Sequence, residues 1–396
     1  MANVSSSNGL EKYPKLRFKG FSEPWIKTPF ANLYRYVSEK NDGSMGVDKI
    51  ISVANMYFKP DARISDEEYL RTYNVFRLGD IAFEGNKSKN FAFGRFVENT
   101  IGDGIVSHVF VVFRPIQSDH NLGYWKYAIN NENVMGRILA RCTKKTTMMT
   151  NLVADDFLEE EMFCPSNAEQ LKISSFLELL ERKIDAQTRL VEHLKKYKRG
   201  VSNKFFNDKV VAECSAVLPF GQAVEINPKT KSLPTEFIYI DLESVESGKL
   251  LQENIISRDN APSRAQRVLT KGDVLFQMVR PYQKNNFYFE SELSLPAVAS
   301  TGYAQIRCVD NDPLFVFEQI SSDYFANEAM LRSTGTGYPA INADSLAEIP
   351  FIKHPIEEQR KIGKFLYLLS QRIIQEESKL EALLKVKGAM LQSLFI

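Results

Sequence analysis

Residues 169–206, EQLKISSFLELLERKIDAQTRLVEHLKKYKRGVSNKFF, and residues 358–395, EQRKIGKFLYLLSQRIIQEESKLEALLKVKGAMLQSLF, are two versions of one segment. At a constant shift of 189 and without a gap, fourteen of thirty-eight positions are identical, among them Glu169/Glu358, Gln170/Gln359, Phe176/Phe365 and Lys198/Lys387. In both, apolar residues alternate spacings of four and three, the a/d seam of a coiled-coil helix. The first seam runs through Ile173, Leu177, Leu180, Ile184, Val191 and Leu194, the second through Ile362, Leu366, Leu369, Ile373, Leu380 and Leu383. Polar residues interrupt both at the same two places, Gln187 with Glu376 and Lys198 with Lys387. Such breaks set register or oligomer state at some cost in stability. Related stripes are most simply buried against each other, although each helix packing on its own domain would also cover them. At 1.5 Å per residue each predicted helix is a rod of about 55 Å.

The repeat extends upstream of the helices. Arg77-Leu78-Gly79-Asp80-Ile81-Ala82-Phe83 matches Thr270-Lys271-Gly272-Asp273-Val274-Leu275-Phe276 at a shift of 193, and at that shift Ser107, Phe110 and Arg114 meet Ser300, Tyr303 and Arg307. The chain therefore reads as globular domain (1–165, with a polar tail 1–12), helix (166–206), globular domain (207–350), helix (351–396). The globular parts read as mixed α/β, an α+β class, with short β-rich runs at Val109–Arg114, Phe237–Asp241 and Val274–Val279. Residues 124–141 and 321–332 are predicted as short helices.

Composition bounds what such a chain does. Its 396 residues, 44% hydrophobic and with a net charge of +1, suit several domains with ordinary cores and argue against a uniformly basic nucleic-acid binder. MANVSSSNGL at the start has neither an apolar core nor a basic flank, so it is read as neither signal peptide nor anchor. No stretch approaches the ~18 apolar residues of a membrane span, so no membrane partner is expected. Cys142, Cys164, Cys214 and Cys308 lie far apart without a CxxC pair, as expected of reduced thiols in a cytoplasmic protein. Four scattered histidines offer no metal-ligand spacing.

Catalytic signatures are missing from the sequence. It contains no GxxxxGK[ST], HExxH or GxSxG, and no GxGxxG between a strand and a helix. The run Thr334-Gly335-Thr336-Gly337-Tyr338-Pro339 lacks a following Lys-Ser and reads as a tight loop. The Asn/Asp-Pro-Pro-aromatic tetrapeptide of amino-methyltransferases is absent too. The chain is expected to be non-catalytic, with neither cofactor nor metal.

The near-zero net charge is an average over unlike segments: +1 for 1–165, +4 for 166–206, −7 for 207–350 and +3 for 351–396. Basic residues nevertheless cluster in both globular parts. Lys87, Lys89 and Arg95 interleave with Phe91 and Phe93, and Arg141, Lys144 and Lys145 precede the first long helix. In the second part Arg280, Tyr282 and Lys284 follow the Gly-Asp strand, and Arg332 precedes Thr334, Thr336 and Tyr338. Lys and Arg supply affinity for phosphates, while Arg, Thr and Tyr at base edges supply specificity, so these residues, the two phenylalanines excepted, are thirteen candidates for DNA contact. For any single one, an ordinary solvated face remains the alternative.

The residues resemble the specificity subunit of type I restriction-modification systems. Leu16-Arg17-Phe18-Lys19-Gly20-Phe21 followed by Trp25 is similar to that family's usual start, and Ile349-Pro350 with Pro355-Ile356-Glu357-Glu358-Gln359-Arg360-Lys361-Ile362 to its entry into a coiled-coil helix. Phe163-Cys164-Pro165 through Glu169-Gln170-Leu171-Lys172-Ile173 is a degenerate first copy. The resemblance implies two target-recognition domains, each reading half of a split sequence in double-stranded DNA, with the helices paired as an antiparallel coiled coil that spaces them. It also implies two modification (methyltransferase) subunits and restriction (translocase/nuclease) subunits as partners. A coiled-coil protein scaffold without sequence-specific DNA binding is the competing reading, favoured by the acidic second domain; a lone methyltransferase fragment is disfavoured by the missing motifs.

Overall fold

The computed structural model describes residues 2–3, 13–64, 67–145, 149–213, 216–230, 232–290 and 293–396. Most of the polar tail, together with Cys214, lies outside the described residues. Two compact units divide the chain, Met1–Ala186 with Leu380–Ile396, and Gln187–Lys379. Each unit takes in one globular part and a stretch of both long helices.

The first unit is built on a four-stranded antiparallel sheet of β1 (Tyr34–Val37), β2 (Ile81–Glu84), β3 (Arg95–Glu98) and β4 (Val111–Pro115), in the order β1-β4-β2-β3. Its strands alternate large apolar residues toward a core in which the rings of Phe30, Phe96 and Phe113 surround Phe157 at 4.3–4.9 Å. The helix expected over 124–141 is two, α1 (Leu122–Ala128) and α2 (Glu132–Cys142), because Asn131 turns its side chain to cap the second by accepting from Asn133 N. The hairpin β5 (Thr143–Lys145) and β6 (Thr150–Leu152) follows, and then α3 (Asn167–Phe205).

The second unit repeats the sheet with β7 (Glu225–Ile226), β8 (Val274–Gln277), β9 (Phe287–Tyr288) and β10 (Tyr303–Arg307), again in the order first-fourth-second-third. It adds a second four-stranded sheet, Asn254–Ser257, Glu236–Ile240, Ala297–Ser300 and Ala265–Val268, with one parallel pair. The helices α4 (Pro313–Ile320) and α5 (Asp323–Leu331) precede α6 (Ile356–Ser393); Pro350–Ile352, at the start of the segment expected to be all helix, is a strand.

The repeat seen in the sequence is also a repeat of interactions. Gly79 and Gly272 adopt φ of 88° and 91°, a left-handed turn that only glycine enters freely. The next residue closes each turn: Asp80 accepts from Arg77 N and Asp273 from Thr270 N, both at 2.8 Å. Arg114 and Arg307, across the sheet, donate through Nε to Asp80 and Asp273, each at 2.9 Å.

Every predicted seam residue is buried or half-buried, whereas Leu179 and Leu368, off the stripe, are 61% and 56% exposed. Within the first unit Ile173 and Leu177 share a core with Leu394 and Phe395, and Lys387 donates to Glu181 at 2.8 Å. Burial opposes ionisation of Glu181, but Lys387, Tyr127 and Lys126 hold its carboxyl down at about 2. Within the second unit Phe206 shares a core with Leu366, and Gln187 Nε2 donates to Glu376 at 2.6 Å. The polar seam breaks are all satisfied: Gln187 by Glu376, Lys387 by Glu181, and Lys198 by the buried Glu318 at 2.9 Å.

Candidate nucleic-acid interface

In the first unit the loop between β2 and β3 carries Lys87 and Lys89, both exposed. It is tied to the β5–β6 hairpin by an Asn86–Met149 bridge and by Thr150 Oγ1, which donates to Gly85 O at 3.1 Å and Phe93 O at 2.9 Å. Gly85 is required there, because a Cβ would stand 2.2 Å from Thr150 O. The tie joins the lysine loop to the strand bearing Lys144, which is exposed, and Lys145, of which only the backbone is described.

Two predicted contact residues of this unit are engaged by carboxylates. Arg95 Nε donates to Glu84 at 2.7 Å and its NH2 to Ala54 O at 2.9 Å, with the guanidinium 5.2 Å from the Phe91 ring. Arg141 makes a two-pronged pair with Glu160, which raises its pKa above the ordinary arginine range. Of the predicted cations here, Lys87, Lys89 and Lys144 are exposed and, among the described residues, have no carboxylate partner.

The second unit builds the corresponding surface from corresponding segments. The loop after β8 meets the loop after α5 through a Val279–Ala340 bridge, 193 and 191 residues on from Asn86 and Met149. Arg280 N donates to Pro339 O at 2.7 Å, and Thr334 and Ala340 exchange backbone hydrogen bonds at 2.9 and 3.0 Å that close the glycine-containing loop. All seven predicted residues, Arg280, Tyr282, Lys284, Arg332, Thr334, Thr336 and Tyr338, thereby fall on two joined loops. Tyr282, Thr334, Thr336 and Tyr338 are exposed.

Carboxylates again engage part of the set. Arg332 pairs with Glu328 at 2.6 Å, and Lys284 with Asp323, which also accepts from Arg199 of α3 at 2.7 Å. Burial works against ionising Asp323, yet Lys284 and Arg199 bring its pKa below the ordinary value. Asp323, Glu160, Glu84 and Glu328 are the residues missed by reading clusters of positive charge. Only Glu328–Arg332, at the helical i,i+4 spacing, had a local signal.

Among the described residues no group of three or more His, Cys, Asp or Glu is placed to hold a metal, and no helix is long and apolar enough to cross a membrane. The surfaces offer cations, hydroxyls and aromatic faces, chemistry for binding an anion or a base edge.

No family model matches the chain. In sequence it is similar to the type I restriction enzyme MjaVIII specificity subunit of Methanocaldococcus jannaschii, 23% identical over 254 residues that make up 58% of this chain and 60% of that protein. The match thus spans less than two thirds of that relative's length. In structure it is similar to the type I restriction-modification S subunit from M. genitalium, with a TM-score of 0.60 at 17% identity over 97% of this chain and 99% of that one. A chain from a structure of type I R-M complex assembly and conformational transition gives a TM-score of 0.51 at 15% identity, over 93% and 96%. The chain thus has the fold of the type I restriction-modification S subunits and is similar in sequence to a specificity subunit of that system.

Proposed function

We propose that this chain is the non-catalytic DNA sequence-specificity subunit of a type I restriction-modification complex. Its two globular parts, 1–165 and 207–350, act as target-recognition domains that each read one half of a bipartite site. The helical segments 166–206 and 351–396 pair as an antiparallel coiled coil, set the gap between the halves and dock two modification subunits, to which restriction subunits add. The observation that carries this reading is the pair of corresponding loop surfaces, bridged at Asn86–Met149 and at Val279–Ala340, in a chain with the S-subunit fold. One reader duplicated and then diverged recognises two different half-sites, as an unsplit binding module would not.

Methylome sequencing of cells carrying the modification subunit, with and without this gene, tests the proposal. A bipartite methylated motif of fixed gap is expected only with the gene; unchanged methylation in an otherwise active system refutes it. The carboxylates that engage Arg95, Arg141, Lys284 and Arg332 favour the competing scaffold reading. That reading requires that the assembled complex show no salt-dependent DNA affinity, whereas phosphate contacts make log K fall steeply with log salt.

A further inference from the structure

Arg280 stands apart from the other cations of the second surface. Lys284 and Arg332 are each paired with a carboxylate, but among the described residues the Arg280 guanidinium has no carboxylate partner and donates no side-chain hydrogen bond. Its one side-chain interaction is with the ring of Tyr338, 4.3 Å from the centroid, and that ring is itself 71% exposed. A cation over a ring face is held by the ring's quadrupole without using its N–H donors.

The backbone around Arg280 is held in an uncommon shape. Arg280 (φ 53°) and Lys284 (φ 54°) are both left-handed and bracket the short turn Pro281–Gln283. Non-glycine residues take this conformation rarely, and it persists only where the surroundings enforce it. Here the Pro339 carbonyl and the Val279–Ala340 bridge do so, and they place Arg280 against the Tyr338 loop. The position that corresponds to Arg280 at a shift of 193 is Lys87, which carries the charge without the fork.

We infer that Arg280, positioned by Tyr338, reads a guanine in the half-site of the second domain, as the bidentate donor to O6 and N7. Guanine is the partner that a free planar fork of N–H donors fits in the major groove. Lys87, a point charge on the first domain, takes a phosphate instead. The inference rests on the proposed function and deepens it.

The test is the methylome left by the complete complex bearing R280A, R280K, Y338A or Y338F. Discrimination at one G·C position of one half-site falls about 10–100-fold in R280A, the range of a lost bidentate contact. The other half-site and the gap stay as they are. R280K, which keeps the charge and the stem, does not restore discrimination. Y338A relaxes the same position in part, and Y338F restores what Y338A loses. K87A lowers methylation at all sites alike without relaxing any base.

R280A or R280K with wild-type discrimination at every position, or relaxation at an A·T position, overturns the inference; R280K serves where R280A does not assemble. A wild-type complex that leaves no bipartite motif overturns the proposed function and this inference with it. A normal wild-type motif with an unaffected R280K overturns the inference alone.

Discussion

Gly363 sits inside α6, where glycine costs about 1 kcal/mol relative to alanine, so propensity alone predicts that Gly363→Ala stabilises. Packing predicts the reverse. A Cβ on Gly363 would lie 2.4 Å from Phe315 N, 2.9 Å from Asp312 Oδ1 and 2.9 Å from Leu314 C, all at the start of α4. Two of those atoms are backbone, and the third is the cap that accepts from Phe315 N at 3.0 Å. Relief requires α6 to retreat by roughly 1 Å or the cap to open, and overpacking of this kind costs about 1–3 kcal/mol with a further ~1 for a lost cap. The net effect is a loss of about 1–3 kcal/mol, a fall of roughly 2–10 °C in Tm for a unit of this size. Gly388, in the same helix, has nothing within 4 Å of its Cβ position, so Gly388→Ala should raise stability by up to ~1 kcal/mol. Thermal and urea unfolding by far-UV circular dichroism separates the two variants. Trp25 and Trp125, both in the first unit, report that unit independently by fluorescence. A Gly363→Ala protein stabilised as much as Gly388→Ala would refute the reasoning. At the equivalent place in the first repeat the small residue has changed sides: Gly123 of α1 faces Ser174 of α3, its Cβ position 3.0 Å from the serine's Cβ.

Other expectations follow from the same packing and charges. Burial pushes the Glu98 carboxyl up to about 9 and the His120 imidazole down to about 4, favouring the neutral form of each, and His120 Nε2 lies 2.6 Å from Glu98 Oε1. Folded Glu98 keeps a proton that the unfolded chain loses above about 4.5, so this group's contribution is lost as pH rises toward 9. Glu98→Gln should flatten the urea midpoint against pH over that window, and a wild-type profile as flat as the variant's would contradict the assignment. His120 acts on the acid side, its contribution present above 6.5 and lost as pH falls toward 4. The triple variant K87A/K89A/K144A should make the slope of log K against log salt shallower by about 2–3 in the assembled complex, with the recognised sequence unchanged; an unaltered slope would remove these lysines from the phosphate contacts. Inserting one heptad after Leu194 and one after Leu383 should lengthen the methylated motif's gap and leave its halves intact, and altered half-site bases at a constant gap would contradict the spacer role.

What the sequence determines by itself is local and periodic. A heptad stripe announces a helix because side chains three and four apart share a face, and both long helices were legible to within a few residues of their ends. The repeat that carries Gly79-Asp80 and Gly272-Asp273 was legible too, as matching residues at a shift of 193, while the left-handed turns it builds came from the structure. Which loops join was not, since the Asn86–Met149 and Val279–Ala340 bridges span sixty residues of intervening chain. Nor was the fate of the other cations: Arg95, Arg141 and Lys284 look alike in a basic cluster, and tertiary structure alone brings Glu160 or Asp323 across to some and leaves Arg280 to Tyr338. Charge neutralisation depends on distance in space, falling off within a few ångströms, and sequence separation fixes that distance only within a helix turn or a hairpin.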